Sequence, residues 1–148
     1  MTDISLMTTS DLIALATGAV TLVGVVLVFG QLRSLTQQTR MHIFAEYTRR
    51  YQEIVLNFPE GIHAGDFSLL HHNEYDHIMR YMRAYYDLCF EEWYLHRDGL
   101  IESDFWKVWL ESIEIALSKP AFQQAWRHMK ASSNYGPEFS KFVEERIG

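Results

Sequence analysis

Leu12 to Leu32 reads LIALATGAVTLVGVVLVFGQL, 21 consecutive residues without a charged side chain. At about 1.5 Å per residue such a run is roughly 31 Å long as a helix, the thickness of a bilayer's hydrocarbon core. A helix in a soluble core is seldom apolar all round over that length. A cleaved signal peptide would carry a basic stretch before the apolar run and a small-residue cleavage site after it. Here Asp3 and Asp11 precede the run, and Gln31, Arg33 and a polar stretch follow it. The expectation is therefore an uncleaved transmembrane helix over 12–32, preceded by a short tail over 1–11.

Working outward, the charge distribution supplies an orientation. All 13 Lys and Arg residues of the 148-residue chain lie at Arg33 or later. Arg33, Arg40, Arg49 and Arg50 follow the span closely, and the positive-inside rule then puts the N-terminus outside and the body in the cytoplasm. The net charge of −6, with basic residues interspersed among acidic ones, argues against a nucleic-acid partner. A lone cysteine, Cys89, forms no intramolecular disulfide and suits a reducing compartment.

Within the span Ala14, Thr17, Gly18, Thr21 and Gly24 fall on one half of the helix surface at 100° per residue. Small residues on one face let membrane helices approach closely, so this stripe is a candidate packing interface for self-association or for docking on another membrane subunit. The plain alternative is that Gly and Thr are common in membrane helices.

After the span, Ser34 to Arg40 reads as a solvated helical stalk. Ile43, Phe44, Tyr47, Tyr51, Ile54, Val55 and Phe58 then recur at three- and four-residue intervals, an amphipathic helix that stops before Pro59. Stalk and helix together occupy 33–58, and the remainder of the helical domain 59–148. Pro59 to His72, with Gly61 and Gly65, reads as a loop or a broken short turn. Asn73 is the expected N-cap of the next helix, with Glu74 and Asp76 in its first turn. Its apolar stripe is Tyr75, Ile78, Met79, Met82, Tyr86, Cys89, Phe90 and Trp93, about 100° wide, with Asp76, Arg80, Asp87 and Glu91 opposite. Gly99 is placed to end it as a left-handed cap.

A further helix follows from Ser103, with Phe105, Trp109, Ile113 and Ala116 inward, then a short one opened by Pro120 that buries Phe122, Trp126 and Met129, and a terminal one over Pro137 to Arg146. No stretch alternates with period two. The fold class is all-α: one transmembrane helix followed by a cytoplasmic bundle of about four helices.

Chemistry-bearing residues are sparse. His63, His71, His72 and His77 lie close in sequence, and Glu74 with His77 forms a Glu-x-x-His step of the kind di-iron bundles use. Such a site needs two steps and further inward glutamates, and His77 points away from the apolar stripe, so surface histidines in a solvated loop are the simpler reading. Glu92 and His96, four apart on one helix, are either half of a metal or acid–base site or a buried hydrogen-bonded pair. His77 and Glu92 are 15 residues apart, about 22 Å along a helix, too far to serve one ion within one chain. Cys89 has no basic neighbour one turn away to make it a thiolate. Trp93, Tyr94, Trp106, Trp109 and Trp126 fit a packed core better than a ligand box. No nucleophile elbow or phosphate loop is present.

The run DLCFEEWYLHRDGLIESDFWKVWLESI (Asp87–Ile113), with PAFQQAW (Pro120–Trp126) and PEFSKFV (Pro137–Val143), resembles a group of small bacterial proteins with one N-terminal span and a cytoplasmic helical domain. That resemblance implies a bacterial inner-membrane setting and assigns no catalytic residue. The functional expectation is a non-enzymatic accessory or scaffold protein, without cofactor, that acts as a homo-oligomer or as a subunit of a larger membrane complex. The alternatives are a metal-binding sensor or enzyme using Glu92 and His96 or the His63–His77 region, and a subunit of an oligomeric channel or transporter.

Overall fold

The computed structural model describes residues 8–147. Residues 1–7 of the tail expected over 1–11, Asp3 among them, lie outside the described residues. The fold is all-helical, 81% helix, with no strand among the described residues, in line with the absence of any period-two stretch. The helices are α1 (Thr9–Val55), α2 (Tyr75–Arg97), α3 (Ser103–Leu117), α4 (Pro120–Met129) and α5 (Gly136–Ile147). Two single 3₁₀ turns, Glu60–His63 and Leu69–His71, interrupt the segment between α1 and α2. The chain divides into two units between His42 and Ile43.

In the first unit, α1 opens on a reciprocal cap. The Asp11 backbone N–H donates to the Thr8 hydroxyl oxygen at 3.4 Å and the Thr8 backbone N–H donates to Asp11 Oδ2 at 2.9 Å. A side chain at the cap and an acid three residues on satisfy helix donors that have no partner within the helix. From there every described residue through His42 is exposed. The hydroxyls of Thr17 and Thr21 donate to the carbonyls of Ile13 and Thr17, at 2.8 and 2.9 Å. They are thus satisfied within their own helix, which suits an apolar surrounding.

In the second unit the buried residues form one cluster. Its centre is α2, whose buried positions are Ile78, Met79, Met82, Tyr85, Tyr86, Leu88, Cys89 and Glu92. At 100° per residue they cover roughly 180° of the helix, wider than the stripe expected from the sequence. Tyr85, Leu88 and Glu92 were not in that stripe, and they are buried because neighbours pack on more than one side of α2. The α1 residue Phe44 stacks on Phe105 and Trp109 of α3 at centroid distances of 4.7 and 6.0 Å, while α2 packs on α4 where Tyr86 tilts against Trp126 at 5.1 Å. The Tyr86 hydroxyl is buried and donates to the Phe122 carbonyl at 2.8 Å.

The start of α2 differs from expectation. Its N-cap is Glu74 and not Asn73, and no side chain caps it from that position. The His72 ring does the local work instead, its Nδ1 accepting the Glu74 backbone N–H at 3.1 Å. Its end follows the sequence: Gly99 has φ +69°, and Leu100 N–H reaches back to the Leu95 carbonyl at 2.9 Å, closing a Schellman turn. α3 starts at Ser103, α4 has Pro120 in its first turn, and Gly136 at φ +74° opens α5. Trp106, left out of the inward set, is buried, whereas Phe105 is only half-buried.

Candidate functional site

Three helices of the second unit supply the walls of a cavity of about 210 Å³. From α1 come Phe44, Tyr47, Thr48 and Tyr51, at the spacing that puts them on one helix face. From α2 come Tyr85, Leu88, Cys89 and Glu92, and from α3 Val108, Trp109, Ser112 and Ile113. Glu92 is the only ionisable carboxyl among these lining residues.

Glu92 is 5% exposed, and among the described residues no hydrogen bond or ion pair to its side chain is formed. Burial pushes its pKa up from an ordinary 4.5 to about 8; the Arg50 charge opposes this and the Glu91 charge adds to it. At pH 7 the carboxyl is then protonated by about ten to one. The neighbouring Glu91 has the opposite surroundings. Arg50 holds it through two N–H···O contacts of 2.5 and 3.1 Å, and the Tyr47 hydroxyl donates to it at 3.1 Å. These bonds, led by the one from Arg50, hold its pKa below the ordinary value. Tyr47 in turn is pushed up to about 12, by burial first and then by the Glu91 charge. The Cys89 thiol is raised well above its usual value by burial, then by Glu92, so it is a packed, protonated thiol.

The residues singled out from sequence are not gathered into one place. Glu74 caps α2 and is exposed. His77 is exposed and lies beside the Tyr81 ring at 5.0 Å. His96 is half-buried and stacks on Trp106 at 4.5 Å with the rings 7° from parallel. The expected Glu92–His96 hydrogen bond is not made: Glu92 turns into the cavity while the His96 ring is taken by Trp106. In the histidine-rich segment each ring has its own contact. His63 stacks on Phe122 at 5.5 Å, His71 Nδ1 lies 2.9 Å from the Ser68 hydroxyl, and His72 stacks on Phe67 at 5.4 Å. Among the described residues no three His, Cys, Asp or Glu side chains are gathered so as to hold a metal ion. Ala14, Thr17, Gly18, Thr21 and Gly24 are all exposed on α1, with nothing within 4 Å of a Cβ built on Gly18 or Gly24.

Sequence reasoning missed the cavity and the Tyr47–Arg50–Glu91 cluster at its edge. The aromatic run Phe44, Tyr47, Tyr51 was visible as a helix face, but its pairing with α2 and α3 is a tertiary fact that periodicity does not carry.

No family model, curated protein or solved structure matches the chain. The resemblance carried by 87–143 therefore gains no support from them.

Proposed function

We propose that this is a membrane-anchored accessory protein that works by binding. The apolar part of α1 spans the bacterial inner membrane with the N-terminus outside, and residues 43–147 form a cytoplasmic binding domain. The observation that carries this reading is the exposure of the apolar segment. α1 contains the one helix window among the described residues that is long and apolar enough to cross a membrane, and none of that window is buried. A helix at the core of this chain would be covered, whereas Leu12, Ile13, Val20, Leu22 and Phe29 are each more than half exposed. So much apolar surface needs lipid or a partner over it. The arginines after the segment support the orientation. Binding, rather than chemistry, is favoured by a cavity with one protonated carboxyl beside a protonated thiol.

Self-association or docking on another membrane subunit is the mode of action this reading adds, through the face of Ala14, Thr17, Gly18, Thr21 and Gly24. What supports it is the placement of these small residues on one half of the helix surface. A channel or transporter subunit would use the same face in an assembly of defined number.

The test has two steps. Alkaline carbonate washing of membranes should leave the protein in the pellet, and protease added to inverted vesicles should remove the body. Release by carbonate would overturn the anchor. Native mass spectrometry from lipid nanodiscs should then give a homo-oligomer or a larger complex that Gly18→Leu with Gly24→Leu reduces to monomer. A strictly monomeric wild type would overturn the assembly role and leave the anchor standing.

A further inference from the structure

We propose that the cavity walled by α1, α2 and α3 binds a small organic cation, an amine on an apolar ring-sized body, with its ammonium group on the Glu92 carboxylate. The site goes beyond the membrane-anchor reading and does not depend on it, because every lining residue lies at Phe44 or later.

A buried carboxyl without a hydrogen-bond partner is rare in a folded protein, because desolvating it costs several kcal/mol, on the order of 1–3 even for the neutral group. Among the described residues the enclosed side-chain polar atom without a partner is Trp126 Nε1, so the Glu92 oxygens open onto the cavity, and with no hydrogen bond from the protein they are free to meet a partner that enters it. The charges around it define what that partner is. From α1 the facing groups are Tyr47, Tyr51 and Arg50, and on α2 they are Tyr85, Cys89 and Glu91. The α3 wall, Val108, Trp109, Ser112 and Ile113, holds no titratable group. Arg50 is the only cation in this set, and both its donors that reach α2 are spent on Glu91. An anionic ligand would meet the Glu92 carboxyl with no free positive charge in the lining, whereas a monocation would balance its carboxylate.

The walls favour the same choice. Phe44, Tyr47 and Trp109 form a ring cluster, with Trp109 6.0 Å from Phe44 and 5.3 Å from Tyr47. Aromatic faces beside a carboxylate attract organic ammonium groups. A dry cavity of about 150 Å³ takes up benzene, so about 210 Å³ has room for one ring and a short amine arm. Tyr51 and Val108 line the cavity yet are 38% and 55% exposed, which marks the mouth.

Binding exchanges a proton. The empty site holds a neutral carboxylic acid; the ammonium takes the place of its proton, which leaves to solvent, and the bound state is a carboxylate paired with R–NH₃⁺. With the Glu92 pKa near 8, affinity for an amine should rise about tenfold per pH unit below that value and level off above it. A neutral carbonyl ligand, which would accept from the protonated acid, shows the reverse trend.

The experiment is calorimetric titration of the full chain in lipid nanodiscs, at pH 6, 7 and 8 and in buffers of different ionisation enthalpy. The probes are phenethylamine and cyclohexylmethylamine, with 2-phenylethanol and 3-phenylpropionate as neutral and anionic counterparts. The expected result is one amine per chain, roughly a tenfold gain in affinity from pH 6 to 7, and about nine-tenths of a proton released at pH 7. Glu92→Gln should weaken amine binding at least tenfold and flatten its pH profile while leaving 2-phenylethanol unchanged. Ser112→Phe, at the exposed rim of the cavity, keeps the carboxyl and narrows the mouth, and should weaken both. Amines that fail to saturate the wild type at millimolar concentration, a counterpart that binds as tightly, or affinity that falls with rising pH would each overturn the proposal. These readouts come from the wild type, so they decide the matter even if a variant does not fold.

Discussion

Glu91 and Glu92 are consecutive in sequence, yet the two flanks of α2 they occupy have opposite physics. On the Glu91 flank a half-exposed carboxylate meets a guanidinium and a phenol, and its charged form is held by direct hydrogen bonds. On the Glu92 flank a carboxyl with no partner faces aromatic and aliphatic walls, and desolvation holds its neutral form. One step of 100° along a helix is enough to exchange water for cavity. The comparison teaches that residue type fixes what a side chain is able to do, and that the neighbours brought from α1 and α3 decide which form it takes.

The largest expected effect comes from removing the acid on the cavity flank. In the unfolded chain Glu92 titrates near 4.5 and in the fold near 8. Folding therefore takes up a proton between those values. The stability this group contributes is fully present below pH 4.5 and is lost as pH rises to about 8, a swing on the order of 4 kcal/mol. Glu92→Gln, which is neutral at every pH, should match the wild type at pH 4.5 and exceed it by roughly 4 kcal/mol at pH 8.5. Urea unfolding at the two pH values checks this. Equal wild-type and variant stability at pH 8.5 would mean that water or a partner already solvates the carboxylate, and the contrast between the flanks would collapse.

Much of this frame was legible in the chain. Gly99, Ser103 and Pro120 mark helix ends through local sterics and capping, and local rules read local signals well. The start of α2 differs because Asn73 is a good cap by residue type, yet the helix begins one residue later, with Glu74 at the cap and its N–H held by the His72 ring. The apolar segment of α1 was readable because it depends on nothing else in the chain. What the chain could not display is how Glu92 sits. Its place on α2 is one turn after Leu88 and Cys89, which points inward, but the walls that leave it unpartnered come from residues about 40 positions before it and about 20 after. Arg50 and Glu91 lie 41 residues apart, and nothing local says that they meet.

The middle-sized effect sharpens the contrast from the other flank. Arg50→Met keeps the aliphatic stem that packs over Tyr47, where the guanidinium sits 5.3 Å from the ring centroid, and deletes the charge. Glu91 then loses its cation and its pKa should return upward. Glu92 loses the one charge that opposes its desolvation and should move higher still, so one substitution shifts both acids the same way. Because the pair is part-exposed, with side chains 33% and 42% accessible, the stability cost at pH 7 should be about 1 kcal/mol. Carboxyl titration by NMR with labelled glutamate reads both shifts at once. A fall in the Glu92 pKa would show that Arg50 acts on the cavity by shape and not by charge.

The smallest effect separates the two flanks most cleanly, because Tyr47 touches both. Its hydroxyl donates to Glu91, while its ring helps wall the cavity. Tyr47→Phe removes the donor and leaves the wall. Glu91 keeps its Arg50 bonds, so the cost should be on the order of 0.5 kcal/mol at pH 7. Since Glu91 is stabilised in its charged form, that cost should be present above its unfolded pKa and should vanish as pH falls through the lowered folded one. Glu92 should barely respond, because the Tyr47 hydroxyl is neutral across this range, with its own pKa pushed up to about 12. A Tyr47→Phe chain in which Glu92 shifts as much as Glu91 would show that the hydroxyl points into the cavity in solution, and Tyr47 would then be the polar partner that Glu92 lacks here.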